Sequence, residues 1–212
     1  MHDTQNTAAA VHSGSPEERP APRSTGRPTT IDPEAVARVA LRLFADQGYE
    51  RTSMEDVARA AGVGRKSLYR YFDSKADLVW GGIEVSVGAS QRALAEQPAE
   101  GDLLAALRHS VIAMVPLMSD PAMARARLRL IAELPELANR SNEALAPQYD
   151  VARAHLVAHR VREDTADYLS AALIGATFAA WTRWAVGSDP DPTPYLLASL
   201  DVLALPRSAS RE

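Results

Sequence analysis

Apolar residues begin to recur with a helical period at Ile31. Val36, Val39, Ala40, Leu43 and Phe44 share one face. Asp32 supplies an N-cap, Pro33 suits the first helical position, Ile31 can pack across the cap onto Val36, and Gly48 is a stop. This predicts a helix over 33–47. Thr52-Ser53-Met54-Glu55 then reads as a capping box between Thr52 and Glu55, followed by a narrow apolar face of Met54, Val57, Ala58 and Ala61. Gly62 breaks that helix, Val63 plugs the turn, and a second short helix runs to about Phe72. Ser74 and Asp77 form another capping box, opening a longer helix through Leu78, Ile83 and Val87. The remainder is Ala- and Leu-rich helical pattern punctuated by Pro98, Pro116, Pro121, Pro135, Pro147 and Pro190. No stretch alternates apolar and polar residues between turn signals, so the predicted fold class is all-α.

Composition refines this picture. The chain has 212 residues, 46% of them hydrophobic, enough for a real core. It lacks cysteine, which excludes a disulfide framework and thiolate chemistry. No apolar run approaches the ~18 residues of a membrane span, and residues 1–29, rich in Ala, Pro, Ser and Thr, do not have the order of a signal peptide. A soluble cytoplasmic protein is expected, with 1–29 a disordered arm because so few large apolar side chains cannot offset its ordering entropy. The net charge is −4, yet four basic side chains and one acid lie between Arg65 and Lys75. A cationic patch on an acidic body is more specific than a high overall pI.

That patch, "RKSLYRYF", falls on the second of two short helices joined by a glycine-containing turn, the geometry of a helix-turn-helix. Leu68 and Phe72, four apart, face inward with Val63. Arg65, Lys66, Ser67, Tyr69, Arg70 and Tyr71 are left outside, where arginine can read guanine and hydroxyls suit phosphates. Lys75 and the helix start at Ser74 are expected at the flanking backbone, and Arg27, ending the basic part of the arm, is a further DNA candidate. The predicted partner is double-stranded DNA.

The text "ALRLFADQGYERTSMEDVARAAGVGRKSLYRYFDSKADL" resembles the DNA-binding domain of the TetR/AcrR family of transcriptional repressors over about residues 30–89. The resemblance implies that Thr52 or Ser53 touches phosphate, that Arg65, Lys66, Ser67 and Arg70 lie on the groove side, and that Tyr69, Tyr71 and Lys75 hold the backbone. One departure is Gly64, where the family commonly has Ser or Thr, which removes a cap from the recognition helix. The family also implies that residues 90–206 form a helical domain that binds a small-molecule effector and makes a homodimer.

Within that part, residues 165–187 are apolar on most faces and 194–205 contribute Leu196, Leu197, Leu200 and Leu203. Paired with their copies, two such helices would make a four-helix interface; alternatively they fill one subunit's core. Pocket candidates are Trp80 and Val87 on the connecting helix, Met114 and Met118 beside Pro116, and Phe178 and Trp181. Pro116, read as lying within an apolar helix, would bend it and open room. Arg125, Arg127 and Arg129 form either a wet face or a mouth for an anionic ligand head. The pattern "RARLRLIAELPEL", with Trp80 after the reader, resembles TetR regulators of the mycofactocin type, which implies long-chain acyl-CoA ligands.

Competing functions find less support. His155 and His159 share a helix face, but "HLVAH" lacks the glutamate of a zinc-protease helix and a third ligand, so no metal, cofactor or enzymatic activity is expected. An architectural DNA binder without an effector is the alternative, disfavoured by the long acidic remainder.

Overall fold

The computed structural model describes residues 31–98, 101–118 and 120–203, apart from the side chains of residues 83 and 84. The arm at 1–29, with Arg27, lies outside the described residues. Every regular element described is helical: α1 Pro33–Gln47, α2 Met54–Ala60, α3 Arg65–Tyr69, α4 Lys75–Trp80, α5 Ile83–Ala95, α6 Leu103–Ile112, α7 Pro121–Glu133, α8 Pro135–Ala138, α9 Ser141–Ala158, α10 Glu163–Val186 and α11 Thr193–Asp201. The fold is all-α. No single helix among the described residues is long and apolar enough to cross a membrane.

Helix α1 has the predicted bounds. Asp32 accepts from the backbone of Glu34 and Ala35, Pro33 is the first helical residue, and Gly48 ends the helix at φ 90°. Its buried face is Val36, Ala37, Ala40, Leu41 and Phe44, with Val39 and Leu43 on the flanks, so the stripe is turned slightly from the predicted one. At α2 the cap lies one residue later than predicted. Ser53, not Thr52, is the N-cap, and it exchanges hydrogen bonds with Asp56 rather than Glu55. The Thr52 hydroxyl instead donates to the Gly48 carbonyl at 2.9 Å, a group left unpaired by the end of α1.

Helix α3 is shorter than expected: it ends at Tyr69, and Arg70 and Tyr71 continue as a turn. Gly64 gives it no side-chain cap, as the departure from the family pattern implies. The long helix predicted from Ser74 is two helices. Its Ser74–Asp77 box opens α4, but Gly81 and Gly82 break the chain, with Gly82 in the left-handed region at φ 86°. Pro116 likewise lies outside any α-helix. Helix α6 stops at Ile112, and Pro116, without an N–H for the ladder, sits in a short 3-10 turn over Val115–Leu117.

Two apolar cores result. The first joins Phe44, Val57, Leu68, Phe72, Leu78 and Val79 to Ile131 of α7 and Leu137 of α8. The second joins Leu107, Leu156, Leu173, Leu196 and Leu200. Leu196 and Leu200 are thus wholly enclosed within one subunit, so they fill its own core rather than an interface. Helix α10 packs on α9 and α11 across this second core, and on α7 at the first.

Candidate DNA-reading face and effector cavity

Leu68 is fully buried and Phe72 nearly so, which anchors α3 and turns Arg65, Lys66, Tyr69, Arg70 and Tyr71 outward; Ser67 is half-buried. The exposed side chains are preorganised in pairs. The Arg65 guanidinium lies 5.6 Å from the Tyr69 ring centre, and that of Arg70 lies 5.1 Å from Tyr71. Arg65 also pairs with Glu55 of α2 at 2.9 Å, an interaction between exposed groups that a stronger anion can displace. Ser53 is exposed at the start of α2.

Two predicted phosphate contacts are placed elsewhere. Thr52 is buried, its hydroxyl committed to Gly48. The Lys75 ammonium turns inward, donating to the Tyr49 carbonyl at 2.7 Å and lying 4.3 Å from the centre of the Tyr49 ring. The carbonyl just past α1 and the adjacent π face are a nearer counter-surface for the first residue of α4 than solvent is.

Behind the reader, α4 is clamped from the far side. Arg140 donates to the Asp77 carboxylate at 2.7 Å and to the Ser74 hydroxyl at 3.2 Å, gripping both members of the box that starts α4. At the other end of α4 the Trp80 indole donates to the Leu137 carbonyl at 3.2 Å. Burial alone would raise the Asp77 carboxyl, but hydrogen bonds from Ser74 and Arg140 outweigh it and hold the group below its ordinary range. Beside this clamp the Tyr49 phenol is pushed up, first by burial and then by the Glu136 carboxylate.

A cavity of about 810 Å³ opens next to Trp80. Ala37, Phe72 and Val79 wall it on the reader side; Ile131, Leu173, Phe178 and Trp181 wall it opposite. Trp80 and Phe178 meet on its wall with ring centres 5.9 Å apart. Of the predicted pocket residues, Trp80, Met114, Met118, Arg127, Phe178 and Trp181 line it. Val87 does not; Val85, Ser86, Ser90 and Leu94 are the α5 residues on its wall, because the Gly81–Gly82 break re-phases the helix.

The three arginines of α7 do not form one mouth. Arg125 donates to the Trp184 and Gly187 carbonyls at 2.8 and 2.7 Å and stacks on the Trp184 ring at 4.1 Å; Arg129 donates to the Ala185 carbonyl at 2.7 Å. Four apart, they share a face and satisfy the carbonyls that α10 leaves at its C-terminus. Arg127, about 200° around the helix from Arg125, faces the cavity alone.

The rings of His155 and His159 are 4.1 Å apart, and burial, with His159 alongside, lowers His155 to about 4. Among the described residues no three His, Cys, Asp or Glu side chains are grouped to hold a metal ion.

Comparison with known proteins decides the family. The signature of bacterial regulatory proteins of the tetR family matches residues 37–79, and that of the MftR C-terminal domain matches 101–207. The chain is 31% identical over 183 residues to a protein of Mycobacterium tuberculosis described as mycofactocin biosynthesis transcriptional regulator MftR, covering 84% of this chain and 92% of that one. The chain belongs to the TetR family of bacterial transcriptional regulators. Solved structures agree in fold. Thermus thermophilus FadR, a TetR family transcriptional repressor crystallised with lauroyl-CoA, superposes with TM-score 0.57 at 22% identity, covering 85% of this chain and all of that one. The fatty acid degradation regulator FadR of Bacillus halodurans gives TM-score 0.60 at 18% identity, covering 82% and 98%. As a TetR regulator the protein binds DNA through its helix-turn-helix.

The clamp makes a prediction about acid. Because the folded Asp77 carboxyl lies below its unfolded value of about 3.9, the carboxylate stabilises the protein above roughly pH 4, and that contribution disappears as pH falls through the folded value. Asp77→Asn should lower the melting temperature at pH 7, and its deficit against wild type should shrink steadily below about pH 4. A deficit independent of pH from 7 to 2 contradicts the assignment.

Proposed function

We propose that this regulator represses by holding a two-fold symmetric operator with two copies of α3, and releases it when a long-chain acyl-CoA enters the cavity. The observation that carries this reading is the position of the cavity. Its walls belong partly to α1 and α4, behind the reading face, and partly to α7 and α10, so an occupant touches both sides. Its volume and largely apolar lining suit a small-molecule site. A structural neighbour crystallised with lauroyl-CoA supports the ligand class. On the reading face, Arg65, Lys66, Ser67 and Arg70 are the proposed groove-side contacts; Ser53, Tyr69 and Tyr71 are the proposed backbone contacts. Residues 30–89 would act as the reader and 90–206 as the effector and dimer domain.

The operator assay tests both halves. On a duplex selected from a random library, Arg65→Ala should cost about 1–3 kcal/mol of binding and relax one base position. Acyl-CoAs of rising length should release the duplex at falling concentrations, by about 0.8 kcal/mol per added methylene until the cavity is full. Release that ignores chain length, or no release, rejects the acyl-CoA.

For the homodimer the support is a stripe on α10. Tyr168, Ala172, Gly175, Ala179 and Val186 lie on one side of that helix and are all exposed, and Val202 just past α11 is exposed as well. Small residues at this spacing let a second helix approach closely. Ala179→Arg should therefore give folded monomers with unchanged circular dichroism and lost operator binding. A variant that still sediments as a dimer would sink this interface.

A further inference from the structure

Five charged residues line the cavity: Asp32, Glu34, Arg38, Asp120 and Arg127. Four have local partners. Asp32 caps α1 and Asp120 caps α7. Glu34 and Arg38 pair with each other at 3.0 Å. Arg127 is different. Its Nε is buried without a hydrogen-bond partner, and among the described residues it forms no ion pair. One terminal nitrogen lies 3.7 Å from where a side chain would begin at Gly82, at the break between α4 and α5. Gly82, Asp32, Glu34 and Asp120 are exposed, so Arg127 stands just inside the rim while the apolar wall lies deeper. Burial disfavours its charge, and Glu34 offsets this only weakly from beyond ion-pair distance. A guanidinium fork left partly desolvated and unpaired is costly, and a planar or tetrahedral oxyanion is the group that removes that cost.

We infer that Arg127 is an oxyanion subsite at the mouth of the cavity, so that the effector is an apolar chain bearing a carboxylate or phosphate close to its end. This rests on the effector reading above and adds the head group's chemistry and the single residue that selects it. Arg125 and Arg129 take no part, since both are spent on the end of α10. A fatty acid would bring the carboxylate; an acyl-CoA would bring a phosphate, its thioester carrying no charge.

Calorimetric titration with three probes of one chain length separates these outcomes: laurate, lauroyl-CoA and dodecanol, each below its self-association concentration. Wild type should bind at least one anionic probe about tenfold or more tighter than dodecanol, the scale of one hydrogen-bonded charge. Arg127→Leu should bring that ratio close to one and leave dodecanol affinity within about twofold. Arg127→Lys should keep most of the preference, and melting curves establish that both variants fold. A preference confined to laurate assigns a carboxylate; one confined to lauroyl-CoA assigns a phosphate. The inference is overturned if wild type binds dodecanol as well as the anions, or if Arg127→Leu keeps the preference; in both cases an apolar effector site survives. If wild type binds none of the three, the effector reading falls together with it.

Discussion

Helix α4 has six residues and is held on two sides. Its inner face, Leu78 and Val79, is wholly enclosed in the core that fixes the reading helix through Leu68 and Phe72. Its two ends are tied to the opposite side of the molecule, Ser74 and Asp77 by Arg140 and Trp80 by the Leu137 carbonyl. A segment so short cannot bend to satisfy one side and ignore the other. Whatever moves α7 and α8 must either carry α4 along or break buried or half-buried hydrogen bonds, each worth about 1 kcal/mol or more. The reading face and the cavity are therefore parts of one packed structure, joined where Trp80 serves both as cavity wall and as tether.

The Gly81–Gly82 break gives this joint its freedom. A continuous helix from Ser74 into α5 would act as a stiff rod. Instead α5 starts afresh after a residue at φ 86°, and α4 can shift with the reader while α5 stays packed on α6 and α9. Ligands move such equilibria only by their difference in affinity between the two arrangements, so contacts on both sides of the joint are what count. Ala37 and Val79 on one side, Phe178 and Trp181 on the other, meet that condition.

Much of this could be read from residues alone, and the misses share a cause. The bounds of α1 were legible because Asp32, Pro33 and Gly48 act locally. The outward face of α3 was legible because Leu68 and Phe72, four apart, turn inward and leave Arg65, Lys66 and Arg70 outside. The box at α2 was read one residue early, since Thr-x-x-Glu and Ser-x-x-Asp overlap and only the carbonyl of Gly48 decides which hydroxyl turns inward. Arg125, Arg127 and Arg129 looked like one cluster in the sequence, although their spacing of two already puts Arg127 opposite its neighbours. What Arg125 and Arg129 meet, the end of α10, lies more than fifty residues away. Arg140 was missed altogether, because nothing in "LANRSN" marks a partner at Asp77.

The central claim is that the cavity controls the reader through the α4 clamp, and coupling is the quantity that tests it. Operator affinity should be measured with and without saturating lauroyl-CoA, in wild type and in Arg140→Ala. The account predicts a wild-type coupling in the usual range of about 1–3 kcal/mol. In Arg140→Ala that coupling should fall to less than half, while operator affinity alone and lauroyl-CoA affinity alone each change by under about fivefold. Undiminished coupling in Arg140→Ala would contradict it.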